Sequence, residues 1–109
     1  MGVGGSSSGI GTAMSFWAAN VGTETSGSIL SPSNSNMLAG IKPTIGRISR
    51  YGIIPITADQ DTAGPMARTV TDAAIFLGAL ESATPDPNDP ATNRCEAPPN
   101  RDYTAFLNS

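Results

Sequence analysis

At 109 residues the chain can hold one domain at most, and its 14% of charged residues falls well below the ~25% usual in soluble proteins. Residues 1–41 carry one ionisable side chain, Glu24, against fourteen between Lys42 and Asp102, so the opening segment reads as the inside of something larger. With no histidine, a lone Cys95 and a net charge of −3, the chain excludes Ser–His–Asp and Cys–His catalysis, His-ligated metals, an intrachain disulfide and a nucleic-acid footprint.

Residues 1–9, MGVGGSSSG, are rich in glycine and serine but lead straight into an apolar periodic segment, which a linker rarely does. Ile10, Ala13, Met14, Trp17 and Val21 share one helical face, which predicts a helix from about Ser8 to Phe16 with Trp17 in the core. A short extended return follows through Ala19, Asn20 and Val21. Gly22 to Thr44 reads as a polar loop entering a strand-like Ala39–Ile41. Ile48–Tyr51 and Ile53–Ile56 are strand-length runs broken by Gly52. Thr69 and Asp72 resemble a capping box that opens a helix running to about Glu81. Val70, Ala73, Ala74, Leu77 and Leu80 line one side of it, and Ile75 and Phe76 make the other apolar too, which predicts burial on both flanks. Residues 84–101 form a polar, proline-rich loop, and Asp102–Leu107 starts another short helix.

The glycine- and serine-rich start raises the question of chemistry. A Walker A loop fails because no lysine occurs before position 42, and GxGxxG fails from Gly2 at Ser7 and from Gly9 at Met14. Gly5 to Gly9 fits a GxSxG elbow centred on Ser7, but neither the strand nor the histidine it needs is present. Two serine-bearing loops remain, GGSSSG from Gly4 and GTETSGSI from Gly22. About nine helical residues at ~1.5 Å and four or five extended ones at ~3.3 Å cover similar distances, so Ser6 and Ser28 can meet at one end of a helix–strand unit. Glycines before each serine allow close backbone approach, and successive N–H groups over Thr25–Ser28 can converge on an oxyanion. Glycine-rich turns with ordinary hydrogen-bonding serines explain the same spacing, and from spacing alone they are the simpler reading.

At these residues the sequence resembles the amidase signature family. GGSSSG, GTETSGSI, GIKPTIGRISRYGIIP and QDTAGPMARTVTDAA occur in that family's order, from Gly4 to about Leu80 and more loosely over 81–109. The motif variants look closest to the peptide-amidase-like branch and to fungal and plant members, and less like the glutamyl-tRNA amidotransferases. The resemblance implies an α/β fold, a mixed β-sheet flanked by helices, of which residues 1–109 supply a partial domain. It also implies cleavage of carboxamide C–N bonds through a Ser–Ser–Lys triad. Ser28 would be the nucleophile and Ser6 the bridging serine, held by a cis peptide bond. The backbone N–H groups of Thr25, Ser26, Gly27 and Ser28 would form the oxyanion hole, with Thr23 in support. No cofactor and no metal is implied. The expected partner is a small-molecule or peptide amide, with no nucleic acid and no membrane, and the missing remainder of the amidase domain is a further one.

Three departures bear on these expectations. The family's catalytic lysine precedes the first serine motif and has no counterpart here, because Lys42 matches the structural lysine of GIKPT. The two serines are 22 positions apart, shorter than is common in the family, and Leu30 stands where many members have arginine. The chain therefore reads as an internal or C-truncated fragment, with Met1 inside a longer reading frame and a cytoplasmic location by default. Alone it is expected to be inactive, with Ile10, Met14, Trp17, Ile53 and Leu77 short of partners. The alternative is a non-catalytic remnant that only binds or complements the missing part. In the folded chain the Ser6 and Ser28 hydroxyls are expected within hydrogen-bond reach. Plain roles are expected elsewhere: structural hydrogen bonds for Arg50 and Arg68, a solvated turn for Asp59 and Asp61, and no nucleophilic role for Cys95.

Overall fold

The structure, a computed structural model, describes residues 5–108. Three strands, β1 (Ala19–Glu24), β2 (Ala39–Gly40) and β3 (Thr62–Ala67), form one sheet in the order β1–β3–β2, with both pairs antiparallel. Helices α1 (Gly9–Ala13), α2 (Leu30–Ser35) and α3 (Val70–Leu80) accompany it, and 3-10 turns follow at Pro90–Arg94, Pro99–Arg101 and Tyr103–Phe106. The fold class is α/β, as the motifs imply.

The central strand, β3, is buried at all six positions and reads TAGPMA, with small residues and a proline where a strand signal would be sought. Pro65 has no N–H to give, but its carbonyl accepts the Ile41 N–H at 3.0 Å. Gly64 is required by close approach, because a Cβ there would overlap the Ile41 carbonyl. The apolar runs expected as strands are turns instead. The Ile53 N–H closes a turn on the Arg50 carbonyl at 3.0 Å. The Ile56 and Thr57 N–H groups are taken by the Asp61 carboxylate, which leaves no ladder to form.

Helix α1 is shorter than its periodicity predicts and buries the opposite face. Its buried residues are Gly9, Gly11 and Thr12, while Met14 is 61% exposed and Ile10 and Trp17 are about half exposed. The helix stops because Ser15 turns left-handed and the Trp17 indole N–H donates back to Thr12 Oγ1 at 2.9 Å. Trp17 is thus not core.

Helix α3 opens as expected, with Thr69 Oγ1 accepting the Asp72 N–H at 3.0 Å. Ala73, Ala74 and Leu77 are buried, but Val70 and Ile75 are exposed, so only one flank is covered among the described residues. Leu77 joins Ile48 and Ala63 in a core cluster against which Ile41, Ile53, Leu80 and Tyr103 pack. Neither Leu77 nor Ile53 lacks partners, then, whereas Ile10, Met14 and Trp17 do stand exposed. Asp102–Leu107 yields a 3-10 turn, capped by Asp102 on the Thr104 N–H.

Candidate active site

The two serine loops meet. The Ser6 N–H donates to the Ser28 carbonyl at 3.0 Å, where the turn before α1 passes the turn before α2. The approach is possible because Gly5 is left-handed (φ 59°) and a Cβ on it would overlap Cβ and Oγ of Ser28.

The Ser6 hydroxyl accepts the Thr23 N–H at 3.0 Å and donates to the Thr23 carbonyl at 3.2 Å. The Thr23 main chain therefore holds the Ser6 hydroxyl from both sides. Among the described residues no hydrogen bond joins the two serine hydroxyls, and every peptide bond is trans. The cis bond implied by the resemblance is absent. A non-proline cis bond costs ~3–4 kcal/mol and persists only where surrounding contacts impose it. Ser6 is instead fastened here by Thr23 and Ser28 across trans bonds.

Glu24, 4% exposed, organises the second loop. Its Oε2 accepts the N–H groups of Ile29 at 2.7 Å and Leu30 at 2.9 Å, the residues that follow Ser28 and start α2. Burial alone would push this carboxyl up. The N–H groups of Leu30, Ile29 and Gly27 and the charge of Lys42 outweigh it and hold Glu24 below the usual carboxylate range. Of the four N–H groups assigned to an oxyanion hole, that of Gly27 faces Glu24, while those of Ser26 and Ser28 find no acceptor among the described residues. Glu24 was legible as the one charge in an otherwise neutral segment, but its role as a main-chain anchor was not.

A second polar chain holds the first loop. Thr12 Oγ1, fully buried, donates to Asn20 Oδ1 at 2.6 Å, and Asn20 Nδ2 donates to Ser8 Oγ at 2.7 Å, two residues after Ser6. Arg68 donates to the carbonyls of Thr12 and Trp17, both at 2.9 Å, a structural role as expected.

Arg50 is likewise structural, paired with Asp89 at 2.7 Å. Asp61 departs from expectation: it is 7% exposed and accepts the Thr25 hydroxyl at 2.5 Å, so it is not a solvated turn residue. Among the described residues no three His, Cys, Asp or Glu side chains gather as metal ligands, and no helix is long and apolar enough to cross a membrane.

The sequence model of the Amidase family matches residues 2–108. A probable amidase of Arabidopsis thaliana is 46% identical over 106 residues, covering 94% of this chain and 20% of the relative. A glutamyl-tRNA(Gln) amidotransferase subunit of Trichlorobacter lovleyi is 45% identical over 106 residues, covering 95% and 21%. Among solved structures, the peptide amidase of Stenotrophomonas maltophilia superposes with a TM-score of 0.83 at 46% identity, over 92% of this chain and 20% of its own. The corresponding amidotransferase subunit of Thermotoga maritima gives 0.70 at 34% identity, over 78% and 18%. The chain spans about a fifth of the length of the relatives it matches.

Proposed function

Because the chain belongs to the amidase family, we propose that it is the nucleophile-bearing segment of an enzyme that hydrolyses carboxamide C–N bonds, with Ser28 as nucleophile and Ser6 as bridging serine. The observation that carries this reading is the hydrogen bond from the Ser6 N–H to the Ser28 carbonyl, which joins two loops 22 residues apart.

In the reaction, Ser28 Oγ bonds to the carbonyl carbon while its proton passes to Ser6 Oγ. Ser6 gives up its own proton, now shared with the Thr23 carbonyl over a long 3.2 Å bond, to a neutral lysine supplied from outside this chain. Charge on the carbonyl oxygen is met by the N–H groups of the Thr25–Ser28 loop, with those of Ser26 and Ser28 the unengaged donors. Collapse breaks the C–N bond as the lysine returns its proton through Ser6 to the leaving amine, and water, giving a proton along the same relay, then cleaves the acyl-enzyme to the acid and restores Ser28. The substrate is a small-molecule or peptide amide.

Without the lysine a serine hydroxyl is a poor nucleophile near neutral pH, so the 109-residue chain is expected to be inactive alone. One observation favours a second reading, a non-catalytic remnant that binds the rest of an amidase domain: Ile10, Met14, Phe16 and Trp17 are all exposed around α1. Paired assays on a small aryl amide separate the two, one with this chain and one with a full-length form carrying the lysine-bearing segment. Turnover by the full-length form that is lost in Ser28→Ala supports the enzyme reading. Turnover that survives Ser28→Ala defeats the nucleophile, and robust turnover by this chain alone, abolished in Lys42→Ala, defeats an external base.

A further inference from the structure

We propose that Asp61 is a positioning residue for the loop that carries Ser28, acting through the hydroxyl of Thr25. The proposal rests on Ser28 being the nucleophile.

Thr25 directly follows β1 and Asp61 directly precedes β3. Glu24 pairs with Thr62 in the ladder, so the two residues face each other one step past its end. There Thr25 Oγ1 donates to Asp61 Oδ1 at 2.5 Å. The other carboxylate oxygen, Oδ2, accepts the N–H groups of Ile56 at 2.7 Å and Thr57 at 2.9 Å. Both oxygens of a buried carboxylate are therefore engaged by donors from two different loops. Withdrawing Thr25 would leave Oδ1 unpaired in a site sheltered from water, so the arrangement resists displacement. The Thr25 hydroxyl also heads the influences that hold this carboxyl below its ordinary range.

The far end of the same loop is held by Glu24 on the Ile29 and Leu30 N–H groups. Between the two anchors, Gly27 is left-handed (φ 94°), and the side chains of Ser26 and Ser28 make no hydrogen bond among the described residues. The place of Ser28 Oγ, and of the free N–H groups beside it, is thus set by what holds the ends and by the Ser6 N–H on the Ser28 carbonyl. One end is the Asp61–Thr25 bond. Donors that must meet a developing oxyanion act mainly in the transition state, so a loosened loop should lower kcat more than it raises KM.

A merely structural Asp61 would serve only Ile56 and Thr57, and this is separable. Thr25→Val removes the one bond while keeping side-chain shape and both N–H contacts to Asp61. Thr25→Ser keeps the hydroxyl. In Asp61→Asn, Oδ1 can still accept from Ile56 and Thr57 while Nδ2 donates to the Thr25 hydroxyl, so it should fall between the two.

The experiment measures kcat and KM on a small aryl amide for these variants and Ser28→Ala in the full-length form. Urea unfolding midpoints serve as the check on folding. Thr25→Val is expected to lower kcat about tenfold or more with KM within about twofold, and Thr25→Ser to stay within about threefold of the parent. Thr25→Val with the parent kcat overturns the proposal. Thr25→Ser as slow as Thr25→Val overturns it too, as does a kcat loss that merely tracks the unfolding midpoint. Turnover that survives Ser28→Ala overturns the nucleophile reading and this proposal together. Turnover lost in Ser28→Ala but intact in both Thr25→Val and Asp61→Asn overturns this proposal alone.

Discussion

From Gly5 to Ile41 the chain is tied down by hydroxyls, main-chain groups and its own one carboxylate, Glu24, with Asp61 and Arg68 reaching in from later in the chain. From Thr84 to Phe106 it is tied by charge. Arg50 pairs with Asp89 and Arg47 donates to the Glu96 carbonyl and the Tyr103 hydroxyl, while Asp86, Asp89 and Asp102 each accept an N–H of the turn they open. Both segments are short of regular structure, yet the fastenings serve different ends. Small residues and hydroxyls let two loops come within backbone hydrogen-bond distance, where a charged side chain would have neither room nor solvent. Ion pairs and aspartate caps hold a proline-rich tail onto the Arg47–Arg50 turn and the end of α3, where few apolar side chains are available to do so. Substitutions in the first segment should therefore act on geometry and rate, and those in the second on stability.

Gly5→Ala tests this contrast most severely. A Cβ at this left-handed position overlaps Ser28, so the loops must part. In the full-length form kcat on an aryl amide should fall about a hundredfold, the loss typical of a reacting group displaced by about an ångström. An active Gly5→Ala would break the comparison.

Arg50→Ala is the counterpart in the charged segment. It leaves the Asp89 carboxylate buried without its partner, and should cost about 2–3 kcal/mol in urea unfolding while kcat and KM of the folded protein stay within about twofold. The Arg50 guanidinium holds Asp89 well below its ordinary value of 3.8. A lowered carboxyl contributes stability that is complete above the unfolded value and lost as pH falls below it, so Arg50→Ala should also flatten the acid limb of the stability curve.

Thr69→Ala offers a neutral reference between the two regions. Loss of the cap on the Asp72 N–H should cost about 1 kcal/mol, with Thr69→Ser restoring most of it. Tyr103→Phe removes the hydroxyl that donates to the buried Glu81 carboxylate at 2.7 Å, and near neutrality it should likewise cost about 1 kcal/mol. Burial, and then the Glu81 carboxylate, pushes the Tyr103 phenol from 10.0 up to about 12. A raised value means a contribution that is whole below pH 10 and lost as pH climbs through about 12, so the phenylalanine variant should flatten stability across that window.

What was legible in the sequence follows the same division. The α3 cap, the extended return at Ala19–Val21 and the meeting of the serine loops rest on local signals: a capping hydroxyl, β-compatible residues, and glycines before serines. Strand β3 was not legible, because Gly64 and Pro65 carry no strand signal and their strand is imposed by β1 and β2 on either side. The apolar runs at Ile48–Tyr51 and Ile53–Ile56 misled because pattern alone cannot show that Asp61 has taken the N–H groups a ladder would need. Asp61 itself was hidden by its neighbours: flanked by Gln60 and near Asp59, it has the local look of a solvated turn, and its partner Thr25 lies 36 residues earlier. Helix α1 departed from its pattern for a related reason, since its apolar face was visible and its exposure among the described residues was not.

The order of the sheet has a consequence for synthesis. Strand β1 ends at Glu24, but the strand that pairs with it along its whole length begins only at Thr62. At ~5–20 residues per second, the segment bearing both serines leaves the ribosome roughly two to eight seconds before its partner is complete. Until then neither Asp61 nor the β1–β3 ladder exists to shape the Ser28 loop, and only its local contacts with Glu24 can form. Glycine, serine, threonine and asparagine dominate that waiting stretch, and such a chain stays solvated and slow to stick while its complement is still being made.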